Sequence, residues 1–279
     1  MKVEIIEDPT DPRIAEYGLA RDGQLRRHDG LFLAEGRLVV RRLLHASRFR
    51  TRSLLATRRA LDDLLDLLPS QHSRRVYEAS TETIRAIVGF KFHRGCLALG
   101  ERGRPTAADE VVAPAGPRIV LALEELADPD NVGAVFRNVA AFGAAGVLLS
   151  PGCADPLYRK TIRVSMGATL STPFARTEWA DGLAALRAAG YALVALTPDR
   201  RADAIDAVAA RGVPSRRLAL IVGAEGAGLG QESRAAADLC VRIPMAPGAD
   251  SLNVATACGI ALHRLTADVG SGIMTGDRT

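Results

Sequence analysis

The stretch LALIVGAEGAGLG, residues 218–230, decides how the second half of this chain folds. Its apolar first half predicts a buried strand, and its glycines predict a tight turn with positive φ around one acid, Glu225. Such a loop holds a phosphate in dinucleotide-binding folds, where G-x-G-x-x-G follows the first strand. Here Gly226, Gly228 and Gly230 are spaced G-x-G-x-G after a late strand, and no Lys-Ser/Thr pair of a Walker motif follows. The spacing therefore disfavours a phosphate site and leaves a plain strand-to-helix turn as the alternative.

Apolar runs alternate with helix-like segments on both sides of this stretch. The strand candidates are RIVLALE, GVLLS, YALVALT, LALIVG and CVRIPM. The helix candidates that follow them are NVGAVFRNVAAFG, the segment around PLYRKTIRVSMG, GLAALRAAG, QESRAAAD and LNVATACGIALHRLT. Near-continuous apolar strands separated by helices are typical of a mostly parallel sheet covered on both faces. The second half is therefore predicted to be an α/β domain.

The first hundred residues carry a weaker version of the same alternation. SLLAT, RRVYEA and CLALG have the pattern of strands, whereas LFLAEGRLVVRRLLHA and RALDDLLDLL have helical spacing. This order predicts a smaller α/β domain. The stretch GERGRPTAADEVVAPAGP, residues 100–117, is rich in Gly, Pro and Ala and separates the two patterned regions. We therefore predict an N-terminal domain at 1–104, a linker at 105–117 and a second domain at 118–279.

Positive charge is concentrated in the N-terminal domain. Residues 1–104 contain 20 Lys and Arg against 14 Asp and Glu, whereas residues 105–279 contain 16 against 18. Most of the basic residues are arginines, which suit bidentate phosphate contacts and stacking on bases. The charge is consistent with a nucleic-acid-binding surface, and a solvated arginine-rich face is the alternative.

Composition excludes several other classes of protein. The chain is 48% hydrophobic and 24% charged, which predicts a packed core rather than disorder. No apolar run reaches the roughly 18 residues of a membrane span, and the acidic N-terminus is unlike a secretory signal. The four cysteines are scattered without a C-x-x-C pair, and the five histidines do not cluster, so no metal site is expected. We expect a soluble cytoplasmic protein.

Three segments, taken in order, resemble a known family. They are LEELADPDNVGAVFRNVAAFGAAGVLLS, LIVGAEGAGLG and RIPMAPGADSLNVATACGIAL. They are similar to the three motifs of the SpoU (TrmH) class of SPOUT methyltransferases over residues 118–267. Members of this class methylate the ribose 2′-hydroxyl of RNA with S-adenosylmethionine. The resemblance implies a parallel α/β sheet whose C-terminal chain forms a deep trefoil knot, a rare exception to ordinary chain topology.

The resemblance also implies roles for individual residues at the reaction, namely Arg137, Asn131, Glu225, Ser251 and Asn253. Arg137 is expected to contact the target phosphate and activate the 2′-hydroxyl, with Asn131 positioning it. Glu225 either orients the arginine or bonds backbone amides of the knot. Ser251 and Asn253 are expected near the ribose, and helix capping is the alternative for Ser251. Either Asp128 or Asp130 caps the helix that carries Arg137.

The methyl donor, S-adenosylmethionine, is expected in a pocket shaped by the glycine loop and two strand ends. The residues that the resemblance assigns to this pocket are Leu196, Thr197, Gly223, Gly226, Leu229, Ile243, Met245, Ser251 and Leu252. The glycine loop would then hold the adenine and ribose side of a bent methyl donor rather than a phosphate. The family also dimerises through the region of the last helix, so a homodimer is implied. Its two active sites would lie near the interface, and each catalytic residue acts either within its own chain or across that interface.

The N-terminal domain resembles, more faintly, a ribosomal-protein-like RNA-binding domain that precedes the catalytic domain in many of these enzymes. The matching pieces are GLFLAEGRLVVRRLL and FKFHRGCLALGER, the second with His-Arg-Gly where many relatives have Gln before the glycine. The residues expected to contact RNA are Arg41, Arg42, His93, Arg94, Arg163 and Ser165. A separate basic domain favours ribosomal RNA over tRNA by analogy. The alternatives are an inactive RNA-binding protein of the same fold and a dinucleotide-dependent oxidoreductase.

Overall fold

The computed structural model describes residues 3–19, 30–68, 75–89, 92–112, 118–211 and 217–270. The chain divides into two compact units, residues 1–104 with 155–171 and residues 105–154 with 172–279. Residues 155–171, which we placed in the second domain, thus group with the first unit.

The elements up to residue 112 alternate between strands and helices. They are β1 (Val3–Ile6), α1 (Ala15–Gly18), β2 (Leu31–Glu35), α2 (Arg37–His45), β3 (Arg50–Ala56), α3 (Arg58–Asp62), β4 (Arg75–Ala79), α4 (Thr81–Val88), β5 (Cys96–Glu101) and α5 (Ala108–Val112).

The later elements follow the alternation predicted for the second half. They are β6 (Arg118–Leu123), α6 (Pro129–Ala141), β7 (Gly146–Leu149), α7 (Arg159–Val164), β8 (Phe174–Arg176), α8 (Trp179–Ala188), β9 (Ala192–Leu196), β10 (Asp203–Ala204), α9 (Ile205–Arg211), β11 (Arg217–Val222), α10 (Gln231–Ala236), β12 (Leu239–Arg242) and α11 (Val254–Gly270). Each strand candidate overlaps one of these strands and each helix candidate overlaps one of these helices, with ends that differ by up to four residues, whereas β8, β10 and α9 were not predicted.

The first unit is built on a mixed sheet. Within its described residues, five strands lie in the order β1-β4-β3-β5-β2. Strand β4 runs parallel to β1 and β3, and β5 runs antiparallel to β3 and β2. Tyr17, Tyr77 and Phe92 are almost fully buried in a hydrophobic core cluster of this unit. This is the smaller α/β unit that the sequence predicts.

The segment LFLAEGRLVVRRLLHA corrects one prediction, because helical spacing was assigned to all of it. Its first five residues form β2 and pair antiparallel with β5, and all five are buried. The helix α2 begins only at Arg37, after Gly36 with a φ of 93°. Glycine tolerates this left-handed backbone, which separates strand from helix. The segment RALDDLLDLL likewise forms only the short helix α3 and a 3₁₀ turn at Leu65–Leu67.

The second unit is built on a parallel sheet. Within its described residues, seven strands lie in the order β10-β12-β9-β11-β6-β7-β8, and every neighbouring pair is parallel. Leu121, Val194 and Leu220, on the central strands, are 0% exposed. Their full burial explains the nearly continuous apolar runs, because helices cover both faces of such a sheet.

The region predicted as a linker, 105–117, is partly helical. Helix α5 occupies Ala108–Val112, and both Val111 and Val112 are buried in the cluster that includes Leu183 and Leu186 of α8. Residues 113–117 lie outside the described part of the chain. The Gly, Pro and Ala content therefore did not reveal that this segment contributes to the core of the second unit.

Candidate active site at the glycine loop

The glycine loop after β11 folds back on itself. A narrow bridge joins Ala224 to Gly228, whose backbone N–H donates to the Ala224 carbonyl over 2.9 Å. A Cβ atom at Gly223 would overlap the backbone of Gly228, so only glycine fits there. Gly226 and Gly228 have φ values of 83° and 66°, in the left-handed region. The loop is thus shaped by its glycines and presents its backbone to the space beside it.

That space is a cavity of about 710 Å³, enclosed by the end of β9, the glycine loop and the segment between β12 and α11. Its volume lies within the usual range of roughly 300–1,000 Å³ for small-ligand sites. The nine residues predicted to hold the donor all line it, namely Leu196, Thr197, Gly223, Gly226, Leu229, Ile243, Met245, Ser251 and Leu252. Three segments far apart in the sequence therefore converge on one site.

The charged lining of the cavity is mainly acidic. Asp199, Glu225 and Asp250 face one basic residue, Arg234. The Arg201 side chain and backbone N–H donate to Asp199 and lower the pKa of its carboxyl to about 2, so it stays ionised. This balance suits a ligand with positive charge and opposes a phosphate, which agrees with the spacing of the glycines.

Asn253 connects two other predicted site residues at the edge of this cavity. Its amide nitrogen donates to Asn131 Oδ1 over 2.9 Å and to Glu225 Oε1 over 3.0 Å. Its carbonyl oxygen accepts from the backbone N–H groups of Ala255 and Thr256. Asn253, rather than Ser251, is therefore the residue whose side chain caps α11. One side chain thus joins the helix α6, the glycine loop and the start of α11.

Helix α6 presents Asn131 and Arg137 in different surroundings. Asp128 caps this helix, since its carboxylate accepts from the N–H of Asp130. Asn131 is 6% exposed, whereas Arg137 is exposed and has no hydrogen bond or ion pair with any described residue. Six residues correspond to about 9 Å along a helix and nearly two turns. Neither residue lines the cavity itself.

A buried network supports the glycine loop and includes a residue that the sequence analysis missed, Glu124. Its Oε2 accepts from Gly230 N over 3.0 Å and from Ser233 Oγ over 2.8 Å. Trp179 Nε1 donates to the same Ser233 oxygen over 2.8 Å. Glu124 is only 9% exposed. The available signal was an acid directly after the apolar run RIVLAL, where a buried carboxylate needs donors nearby.

The residues predicted to contact RNA all belong to the first unit, including Arg163 and Ser165 in segment 155–171. Arg163 is exposed. Ser165 is 0% exposed and its Oγ donates to the Ile162 carbonyl over 3.0 Å, so it does not face outward as predicted. Ser165 directly follows α7, and its hydroxyl is satisfied locally by the carbonyl three residues earlier.

The other four predicted RNA contacts have intramolecular partners or neighbours. Arg41 makes two hydrogen bonds to the Asp66 carboxylate, at 2.9 and 2.7 Å, and Arg42 Nη1 donates to the Met166 carbonyl over 2.7 Å. His93 Nδ1 lies 3.1 Å from the Arg85 guanidinium. The aliphatic part of Arg94 packs where a Cβ of Gly36 would stand. His93 and Arg94 are exposed, whereas Arg41 and Arg42 are partly buried.

Comparisons with known proteins agree with this geometry. Residues 118–263 match the model of the SpoU rRNA methylase family. The chain is 41% identical over 272 residues to an uncharacterized tRNA/rRNA methyltransferase of Mycobacterium bovis, covering 95% of this chain and 92% of that protein. It is 32% identical over 193 residues to a 23S rRNA (guanosine-2′-O-)-methyltransferase of Bordetella pertussis, covering 68% and 77%.

A solved structure matches nearly the whole chain. It is an AdoMet-bound rRNA methyltransferase from Sinorhizobium meliloti, with a TM-score of 0.82, 26% sequence identity and coverage of 98% of this chain and 99% of that chain. In the part of the chain that the structure describes, no helix is long and apolar enough to cross a membrane. No group of three or more His, Cys, Asp or Glu in those ranges is arranged to hold a metal ion.

Proposed function

Because the chain belongs to the SpoU rRNA methylase family, we propose that it transfers a methyl group from S-adenosylmethionine to a ribose 2′-hydroxyl of RNA. We propose ribosomal RNA over tRNA, which the printed activity of the Bordetella relative supports. The observation that carries the proposal is the single cavity lined by all nine residues predicted to hold the donor.

The cavity fits the proposed donor by charge and shape. Bound S-adenosylmethionine supplies a methyl group on a positively charged sulfonium, which is activated for transfer without a metal. The carboxylates of Glu225 and Asp250 match that positive charge, whereas the Asp199 carboxylate is already paired with Arg201. The side chain of Leu229 and the open space beside Gly226 and Gly228 suit the flat adenine, because no Cβ projects from the glycines.

The reacting hydroxyl would be held by residues at the edge of the cavity. A free guanidinium is a poor base, because its pKa lies far above neutral. In the proposal, Arg137 binds the target phosphate and stabilises the hydroxyl oxygen as that oxygen loses its proton. Asn253 fixes Asn131 and Glu225 relative to each other, and Ser251 lines the cavity near them. Positioning and electrostatics would supply most of the rate enhancement.

We also propose the deep trefoil knot of this class for the second unit. The strand order supports it, because β11 fills the position between β6 and β9 although it follows both in sequence. The chain then returns past β9 to form β12. The glycine loop and the segment before α11, which both line the cavity, would belong to the knotted part.

A homodimer formed around α6 and α11 is the assembly that we propose. Ile260 on α11 and Leu252 just before it are among the exposed large hydrophobic residues of the described chain. Burial of such residues stabilises an interface. The exposed position of Arg137, away from the cavity of its own chain, supports a role across that interface. RNA would first contact the basic first unit, and the cytoplasm is the compartment that we propose.

Arg137→Ala tests the proposal. We expect methyl transfer from radiolabelled donor to be abolished, while calorimetry shows donor affinity within a few-fold of the wild type, since Arg137 does not line the cavity. Arg187→Ala is the matched control, because this helical arginine is 48% exposed and its ion pair with Asp238 lies at the surface. Turnover retained by the Arg137 variant would exclude the role of this residue.

The RNA substrate is identified by mapping 2′-O-methyl groups in total RNA from cells with and without the gene. A single ribosomal position that loses its methyl group supports the proposal. A different result would indicate an inactive RNA-binding protein of the same fold. In that case the protein binds the donor, no RNA position loses its methyl group in cells without the gene, and the purified protein methylates no RNA.

A further inference from the structure

A second cavity of about 300 Å³ adjoins the donor cavity. The two share Pro198, Ile243, Met245 and Asp250 in their linings. The second is completed by Arg200, Arg242, Ala246, Pro247 and Ala249. Seven of the nine predicted donor residues line only the larger cavity, and Ile243 and Met245 lie in the wall between the two. This shared wall places any occupant beside the donor.

The charged lining of this second cavity has the opposite sign to that of the first. Two guanidinium groups, Arg200 and Arg242, face one carboxylate, Asp250. Asp250 forms no ion pair with either arginine. The nearby Asp199 carboxylate is held by Arg201 at 2.8 Å and does not neutralise Arg200. Two neighbouring cavities of opposite charge suit a cation in one and an anion in the other.

One hydrogen bond to the backbone holds the Arg242 side chain in place. Its Nε donates to the Ala202 carbonyl over 3.1 Å, and its strand β12 pairs with β10 at Ala204. This bond fixes the guanidinium through one nitrogen and leaves both Nη groups without a partner among the described residues. A guanidinium with two free Nη groups offers the paired donors that oxyanions accept. Arg200 is exposed and is likewise without a partner there.

We infer that the second cavity binds a phosphodiester of the substrate RNA, close to the nucleotide that is methylated. The inference rests on the proposed function and adds a positioning site on the second unit. A phosphate is an oxyanion of the right charge, and each ribose of an RNA chain is flanked by two of them. The carboxylate of the donor's amino acid tail has the same chemistry and is the competing source. The donor cavity alone, at about 710 Å³, is large enough to contain the whole donor.

The experiment compares Arg200→Gln, Arg242→Gln and the double variant with Arg187→Gln as control. Arg200→Gln is informative even if the Arg242 variant folds poorly, because Arg200 makes no hydrogen bond or ion pair with any described residue. We expect the KM for RNA to rise about three- to tenfold in the double variant, with kcat nearly unchanged. The slope of log KM against log salt should fall by about 0.7 for each phosphate contact that is lost. RNA dissociation constants measured by filter binding should change in parallel.

The affinity for donor analogues shows whether the second cavity binds an RNA phosphate or the carboxylate of the donor. S-adenosylhomocysteine carries the amino acid carboxylate, whereas 5′-methylthioadenosine lacks it. For each compound separately, we expect calorimetry to show the same affinity in the variants as in the wild type. If only S-adenosylhomocysteine binds the variants more weakly, the cavity belongs to the donor and the inference is overturned. An unchanged KM for RNA together with an unchanged salt slope would also overturn it. If the wild type methylates no RNA, the proposed function fails, and the RNA-binding slopes still test the cavity.

Discussion

Replacing Asn253 by Asp would test the connection at the edge of the cavity that we propose for the donor. The substitution keeps the size of the side chain and the oxygen that accepts from Ala255 and Thr256. It removes the nitrogen that donates to Asn131 and Glu225. It also places a second carboxylate beside that of Glu225, so helix capping is retained while the connection is broken.

The expected cost follows from three contributions. Each lost hydrogen bond costs about 1 kcal/mol, with no larger value for the charged partner because Asn253 and Glu225 are exposed. Two carboxylates about 4 Å apart repel by about 1 kcal/mol in water. Together the free energy of unfolding should fall by about 3 kcal/mol. Asn253→Ser keeps a capping oxygen without the new charge and should cost about 2 kcal/mol.

Urea unfolding at several pH values separates the charge from the lost hydrogen bonds. The repulsion requires both carboxyls to be ionised, so the difference between the Asp and Ser variants should shrink as the pH falls from 7 to 4. Methyl transfer should drop more than about tenfold in the Asp variant, because Asn131 and Glu225 lose their shared anchor. An Asp variant within about 0.5 kcal/mol of the wild type, with wild-type turnover, would refute the reasoning.

Three further predictions concern Glu124 and the cysteines. Glu124→Ala should lower the free energy of unfolding by about 2–4 kcal/mol, because two charge-assisted hydrogen bonds are lost and only part of that loss is offset by removing a buried charge. Urea unfolding measures this, with the exposed Glu178→Ala as control. Equal stability of the two variants would contradict the prediction. For the thiols, Cys240 is exposed and the other three cysteines are buried, so Ellman's reagent should label one thiol quickly in the native protein and four in urea. Burial raises the pKa of Cys258 from 9.0 to about 12, so the stability it contributes is complete below pH 9 and is lost as the pH rises toward 12, by at most about 1.4 kcal/mol per pH unit. Cys258→Ala should flatten that alkaline decline in urea unfolding, and rapid labelling of several native thiols would show that the burial is wrong.

The parallel sheet and the cavity proposed for the donor were predictable because their signals are local in sequence. Strands such as β6 and β11 are buried on both faces, which leaves an unbroken apolar run bounded by turn residues. The cavity is built by loops at the ends of such strands, and Gly223 marks the point where a Cβ would overlap backbone. The family motifs therefore selected nine residues that the fold brings to one cavity, and their role in holding the donor stays a prediction.

The remaining features depend on contacts between distant residues. The segment that begins with Leu31 has apolar spacing compatible with a helix, and only its pairing with β5 makes it a strand. Arg41 could not be matched to Asp66 from the sequence, because 25 residues separate them. The network around Glu124 joins residues more than 100 positions apart. Ser165 is buried at the end of α7, which residue type alone does not reveal.

The placement of residues 155–171 in the first unit has a consequence for how such proteins diversify. Arg159 forms an ion pair with the buried Glu35 at 3.4 Å, and Met166 accepts from Arg42. Both Arg159 and Met166 come from the part of the chain that matches the methylase family. A chimera that joins a foreign N-terminal half to this chain at residue 104 would lack Glu35 and Arg42. Arg159 and Met166 would then lose these partners. Replacing the first unit by another therefore requires residues 155–171 to be replaced together with residues 1–104.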